Sequence, residues 1–208
     1  MFRIFSALIF SLVTVTASHA DQIIVAGGCF WCVEADFEKV QGVKSVVSGY
    51  TGGTTSNPTY KEVSADASGH YEAVKITYDP KAVSRRQLYD LFLRSVDPLD
   101  AGGQFCDRGD SYRTAIFVKK NAEKADAIDA LKDGMKVLGK QIVTPVLPAK
   151  PFYKAEGYHQ DYYKSAEKTL TRFGYITRAD AYKKYRTACG RDQRVRQIWG
   201  SNAAFTGG

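Results

Sequence analysis

Cys29 and Cys32 stand in the segment Ala26-Gly27-Gly28-Cys29-Phe30-Trp31-Cys32-Val33-Glu34, which joins a short apolar run to an amphipathic helical pattern through two glycines. A cysteine at such a junction faces the unpaired N–H groups and the positive dipole end of a helix, and both favour a thiolate over a thiol. Cys29 is therefore expected as S⁻, a nucleophile. Glycine lets the chain turn tightly and lets a ligand approach the backbone. Phe30 and Trp31 add aromatic surface beside the sulfur, which suits a substrate with an apolar, sulfur-bearing end. A lone cysteine here would read as a small buried thiol of a core helix. The glycine pair and the second cysteine at C-x-x-C spacing turn the reading towards chemistry. With no second C-x-x-C and no matching histidine pair, the pattern argues against a zinc site.

Glu72 is the second chemical candidate. Along its strand Glu72, Val74, Ile76 and Tyr78 share one face and Ala73, Lys75 and Thr77 the other, which puts an acid on the apolar side. Desolvation raises a carboxyl pKa, as a proton donor near neutral pH requires. The pattern leaves open a second reading, in which Glu72 pairs with a basic residue or lies outside the covered part of the sheet.

The elements that must hold these groups alternate between strand and helix. Ile23 to Ala26 reads as a strand buried on both faces. Phe30, Val33, Phe37 and Val40 lie at helical spacing and stop before Gly42. Strands are expected over Val43–Tyr50, His70–Tyr78 and Arg113–Val118, with an edge strand over Thr144–Leu147. Ser84 and Gln87 form a capping box for a helix presenting Leu88, Leu91 and Phe92, and Ile128, Leu131, Met135 and Leu138 mark another. Tyr158 to Leu170 is expected to be helical, and the remainder of the chain reads as a loosely specified tail. The middle strands sit too close together for a uniform βαβ series, so the expected class is α+β, a two-layer α/β sandwich with a mixed central sheet.

Residues 1–20 read as a secretory signal peptide: Arg3, an apolar run from Ile4 to Val15, and Ala17-Ser18-His19-Ala20 as a cleavage site. The run is short for a membrane span, and the small residues fit cleavage better than a retained anchor. Residues 21–208 then form a single catalytic domain with no stable membrane insertion, and the expected location is secreted, in the periplasm. The formal charge is +7, with the excess near the C-terminus at Arg172, Arg178, Lys183, Lys184, Arg186, Arg191, Arg194 and Arg196. No nucleic-acid motif accompanies this cluster, which reads as a solvated basic surface rather than a nucleic-acid site. His70 and His159 read as hydrogen-bonded structural residues. In an exported protein four cysteines suggest two structural disulfides, yet the setting of Cys29 argues that one pair is redox-active.

With these residues in place the chain resembles the peptide methionine sulfoxide reductases of type A. The landmarks are GCFWCVE at Gly28 to Glu34, GYTGG at Gly49 to Gly53, NPTYKEV at Asn57 to Val63, GHYEAV at Gly69 to Val74, DRGDSYRTAI at Asp107 to Ile116 and FYKAEGYHQDYY at Phe152 to Tyr163. The resemblance implies a mixed-sheet sandwich with a ferredoxin-like core, and a monomer that reduces the S epimer of methionine sulfoxide, free or in proteins. It implies that Cys29 attacks the sulfoxide sulfur, that Phe30 and Trp31 wall the S-methyl pocket, and that Glu72 protonates the oxygen. Tyr60 and Tyr112 would hydrogen-bond that oxygen, and Asp107 would help organise the site. The product at Cys29 is a sulfenic acid, which another thiol must resolve. Cys32 is the leading candidate for that thiol. Cys189 could swing in from the tail, and Cys106 could relay the disulfide outward or pair with Cys189 as a static staple. Ser111, where the family often has glutamine, and Cys32, where it often has glycine, depart from the common pattern. Turnover would end on a thioredoxin-like dithiol, with no metal, flavin or nicotinamide bound. A thiol–disulfide oxidoreductase using Cys29 and Cys32 is the alternative, and a binding domain with all four cysteines oxidised and inert is a third reading.

Overall fold

The computed structural model describes residues 20–207; the expected leader lies almost wholly outside them. In chain order, strand β1 (Asp21–Gly27) is followed by helix α1 (Phe30–Phe37), β2 (Val43–Thr51), the short α2 (Tyr60–Ser64), β3 (Tyr71–Tyr78) and α3 (Arg85–Leu93). The two-residue strands β4 (Gly103–Gln104) and β5 (Asp107–Arg108) precede β6 (Thr114–Val118), α4 (Asn121–Leu138), β7 (Val146–Pro148) and β8 (Tyr153–Lys154). A hairpin of β9 (Lys168–Thr171) and β10 (Gly174–Thr177) leads into α5 (Arg178–Ala188) and α6 (Arg191–Trp199).

The main sheet runs β7-β6-β1-β3-β2-β8, with every neighbouring pair antiparallel except the parallel pair of β6 and β7. Its inner order, β6-β1-β3-β2 with α1 and α3 as the crossovers, is the split βαβ arrangement of a ferredoxin-like core. The sheet is mixed, as the sequence predicts. One face carries Ile23, Val25, Val74, Ile76 and Ile116 under Phe30, Val33, Leu88, Phe92, Ala127 and Trp199 of the helices. The other carries Ile24, Ala26, Ala73 and Phe117 and is covered by Leu147, Ala149 and Phe152 rather than by a helix. The alternation along β3 puts Glu72 on the helix-covered face, beneath the start of α1. The Ser84–Gln87 capping box forms as predicted.

Three regions differ from expectation. Helix α1 ends at Phe37, so Val40 lies past its cap at Glu38. Residues 158–170 are not an α-helix but two 3-10 turns, Gly157–His159 and Tyr162–Lys164, followed by β9. Between the turns Asp161 takes a left-handed conformation (φ 54°) that no helix interior accepts, and its N–H donates to Glu34 Oε1 at 3.0 Å. The Gln160 amide meanwhile bonds both the N–H and the C=O of Ser48, standing in for a strand at the edge of β2. The tail is not loosely specified. It is a hairpin and two helices that pack Ala181, Tyr182, Val195 and Trp199 into the interior.

Candidate active site

A cleft of about 480 Å³ opens where α1 begins, and Cys29, Phe30, Trp31, Cys32, Tyr60, Glu72, Asp107 and Tyr112 all line it. The sequence-predicted residues are thus brought together from four parts of the chain. Gly28 makes the approach possible: its φ is +74°, and a Cβ there would sit 2.5 Å from the Cβ of Gln104. Cys29 is the N-cap residue of α1 and Glu72 reaches across from β3. Tyr60 opens α2, fixed by the Thr59–Glu62 capping box and by its own N–H donating to Glu156 Oε1 at 2.9 Å. Tyr112 closes the turn before β6, with its hydroxyl within bonding reach of Tyr60.

Glu72 is 2% exposed and accepts the N–H of Phe30 at 3.1 Å. Burial outweighs that bond and pushes its carboxyl up to about 8, so the group is neutral at pH 7. Asp107 is also shifted upward by burial, against the pull of Arg191 and Arg172. Burial raises the Tyr60 and Tyr112 phenols as well, so both stay protonated. Glu72, Tyr60 and Tyr112 thus make this wall polar without adding charge at pH 7.

The thiol pair departs from expectation. Cys29 is half-buried, Cys32 is 7% exposed, and both are free. A hydrogen bond to Cys32, then burial, pushes the Cys29 thiol well up. The same bond, with help from Arg191 and Arg186 and against burial, holds Cys32 down. Of the two thiols Cys32 is therefore the stronger acid and Cys29 the weaker, the reverse of the order expected from a thiolate at Cys29. The helix start does not help Cys29 because its side chain makes no capping bond and the first N–H of α1, that of Phe30, is spent on Glu72.

Cys106 and Cys189 are joined in a disulfide on the rim of the cleft. Of the readings left open for them, the structure shows the pairing, which leaves Cys32 as the free thiol next to Cys29. A binding domain with all four cysteines oxidised does not describe this arrangement.

Several residues in or behind the cleft have places that the sequence did not give them. His159 is 1% exposed, accepts the Trp31 indole N–H on Nδ1 at 3.2 Å, and packs against Phe30 and Tyr60 at ring separations of 5.0 and 4.4 Å. Burial lowers its pKa to about 4, so the ring is neutral with its proton on Nε2. It is structural, as read, but what it braces is the aromatic wall. Tyr162 stacks on Trp31 with ring centres 3.8 Å apart. His70, by contrast, lies outside the cleft and ties the Gly53 N–H to the Thr55 carbonyl. Arg186 and Arg191 also line the cleft and are only 5% and 2% exposed, so these two are not part of a solvated basic surface. Aromatic spacing could have pointed to Tyr162, whereas nothing in the local pattern marks an arginine as buried.

A nucleophile pair, a neutral acid and two phenols around an aromatic slot define a thiol-dependent oxidoreductase site. Residues 21–202 match the peptide methionine sulfoxide reductase family, and the chain belongs to that family. It is 46% identical over 190 residues to peptide methionine sulfoxide reductase MsrA 2 of Caulobacter vibrioides, with 88% of each chain covered. It is 45% identical to the MsrA of Bacillus subtilis, over 85% of this chain and 94% of that one. Among solved structures, reduced Mxr1 of Saccharomyces cerevisiae superposes with a TM-score of 0.68 at 28% identity, covering 82% of this chain and 99% of that one.

Proposed function

We propose that this protein reduces methionine sulfoxide, of the S epimer, free or within proteins, by a cycle centred on Cys29. The observation that carries the reading is a neutral, buried Glu72 in the same cleft as a half-exposed Cys29 and two protonated phenols. Sulfoxide oxygen leaves poorly until protonated, and sulfur attack needs an electron-poor centre. Tyr60 and Tyr112 donate to the oxygen, Glu72 protonates it, and Cys29 forms the new bond to sulfur while passing its own proton to Cys32. Phe30 and Trp31, with His159 and Tyr162 behind the indole, offer the apolar surface for the S-methyl group. Methionine leaves and Cys29 becomes a sulfenic acid.

Cys32 resolves it: its sulfur attacks Cys29, a disulfide forms and water departs. A thioredoxin-like dithiol then reduces the disulfide and resets the enzyme. Cys106 and Cys189 form a staple outside this cycle, and a staple closed across 83 residues suits the oxidising periplasm that the reading of residues 1–20 as a leader implies. Among the described residues no helix is long and apolar enough to cross a membrane.

The test is product count per enzyme with a methionine sulfoxide peptide. Cys29→Ser is expected to form none. Cys32→Ser is expected to form about one methionine per molecule and then stall with a thioredoxin reductant. Full cycling by Cys32→Ser would reject it as the resolver, and product from Cys29→Ser would reject the whole scheme.

A further inference from the structure

Cys32 points inward beneath α1, against Tyr162 and against Ala181 and Tyr182 of α5. Two guanidinium groups from the C-terminal helices line the cleft with it, and they are not equivalent. Arg186 is matched: it donates to Asp36 Oδ1 at 2.9 Å, to Asp192 Oδ1 at 2.8 Å, to the Tyr182 hydroxyl and to the Phe205 carbonyl. Arg191 donates only to the carbonyls of Gly27 at 3.3 Å and Ser95 at 3.0 Å. Arg191 Nε and Asp36 Oδ2 make a long ion pair at 3.9 Å, and neither atom has a hydrogen bond. A guanidinium that is 2% exposed, hydrogen-bonded to neutral carbonyls and paired with a carboxylate only at long range carries a buried charge that its contacts cancel only in part.

The ionisable groups that face Cys32 are Cys29 beside it, Asp36 one turn further along α1, Glu72 from β3, Tyr182 and Arg186 from α5, and Arg191 from α6. Glu72 and Tyr182 are held neutral by burial. Tyr162 packs on Cys32 as well, and Asp107 and Arg172 line the same cleft, so the cations Arg172, Arg186 and Arg191 face the carboxyl groups of Asp36 and Asp107. Arg191 is also gripped from two sides. Its guanidinium lies 4.7 Å from the ring of Phe105, and Cys106, next to Phe105, is joined by the disulfide to Cys189, one glycine before Arg191.

We propose that Arg191, with Arg186 behind it, is a positioning residue that keeps negative charge on Cys32, so that the external dithiol attacks Cys29 and Cys32 is the sulfur that departs. This rests on the cycle proposed above and adds its direction. The donor thiolate forms a bond to the Cys29 sulfur as the Cys29–Cys32 bond breaks, and the electron pair goes to Cys32. The donor's second thiol then attacks the mixed disulfide, leaving as an oxidised donor, with its proton returned to Cys29. Two electrons pass from donor to enzyme. The thiol of lower pKa leaves faster, and of the two sulfurs Cys29 is the more accessible, so both considerations select the same bond.

The experiment has two arms. In Cys29→Ser the only free thiol is Cys32, and its ultraviolet thiolate absorbance is followed against pH. Its midpoint is expected below that of an ordinary thiol, about 8.5. Adding Arg191→Met is expected to cut the thiolate fraction near the midpoint about tenfold, and Arg191→Lys, which keeps the charge, to restore most of it. An unmoved titration in Arg191→Met would overturn the proposal. The second arm uses the chain with all four cysteines, oxidised by substrate and mixed with a thioredoxin whose second active-site cysteine is serine. The trapped adduct is expected on Cys29, and an adduct on Cys32 overturns the proposal even if Arg191→Met fails to fold. Neither readout is methionine formation, so a chain that makes no methionine sinks the reductase cycle and is recognised apart from this inference.

Discussion

The cleft has two walls of opposite design. The sheet-side wall, built from β3, the start of α1, α2 and the turn before β6, presents Glu72, Tyr60 and Tyr112, all kept uncharged by burial. The tail-side wall, built from α5 and α6, presents Arg186 and Arg191, two buried cations. The same desolvation that holds an acid in its neutral form costs an arginine far too little to neutralise it, so burial gives a proton donor on one side and a fixed positive field on the other. Cys29 and Cys32 sit between the walls, and the charge they share leans towards the tail. A proton-donating wall fits the oxidative half of the cycle and a cationic wall fits the thiol exchanges.

Breaking the sheet-side wall has the largest expected effect short of removing Cys29. Glu72→Gln keeps an acceptor for the Phe30 N–H but cannot give a proton, and the rate of methionine formation is expected to fall by roughly 10²–10⁴-fold with the fold intact. In the wild type the protonated form is the active one. A folded-state value of about 8 therefore gives a rate that holds at neutral pH and falls as pH rises through 8, a fall that Glu72→Gln should lack. A near-normal rate in Glu72→Gln would remove it from the proton transfer. The tail-side wall is attacked by changing Cys106 and Cys189 together to serine. Opening a crosslink that spans 83 residues is expected to cost roughly 2–4 kcal/mol of stability in denaturant titration, with first-turnover methionine retained. Unchanged stability would mean that the tail is held by its packing alone. His159→Phe tests the support behind the sheet-side wall. The ring volume is kept and the acceptor for Trp31 is lost, so KM should rise about tenfold with kcat little changed.

The two walls also differ in how legibly the sequence wrote them. Glu72 could be placed because strand parity is unforgiving: Val74, Ile76 and Tyr78 fix the buried face, and the acid shares it. The Ser84–Gln87 box and the apolar spacing of α3 were equally local signals. The tail is illegible for a physical reason. Its buried positions include Arg186 and Arg191, so the helical repeats through Ala181, Tyr182 and Arg186, and through Arg191, Val195 and Trp199, do not stand out as apolar stripes. Which arginine is interior depends on Asp36, Gly27 and Ser95, far off in sequence. Residues 158–170 misled for the opposite reason. Their aromatic spacing is helical, but the bonds that fix Gln160 and Asp161 run to Ser48 and Glu34, and no local pattern carries them. The Cys29 thiolate was misplaced because a helix start offers few N–H groups, and a buried acid had claimed the first.

Glu34 sharpens the contrast at its smallest scale, because it is a buried acid behind the walls rather than in them. It is 1% exposed, accepts the Ser48 hydroxyl at 2.8 Å and the Asp161 N–H at 3.0 Å, and burial still pushes it up to about 7. A carboxyl whose folded value exceeds its unfolded value of about 4.5 keeps a proton that the unfolded chain releases, so folding stability falls as pH rises from 4.5 through 7. Glu34→Gln can still accept the Asp161 N–H, and its amide can donate to Ser48, with no charge to bury. It is expected to be more stable than the wild type by about 1 kcal/mol at pH 8 and no more stable near pH 4.5, with catalytic rates unchanged. Denaturant midpoints at the two pH values measure the difference, and because Glu72 titrates in both chains its contribution cancels. Equal midpoints at pH 8 would mean that burial does not raise the folded-state value of Glu34, with water or a cation reaching it behind α1. Burial alone would then be too weak an argument for the neutrality of Glu72, and the pH profile of the reaction would have to establish it instead.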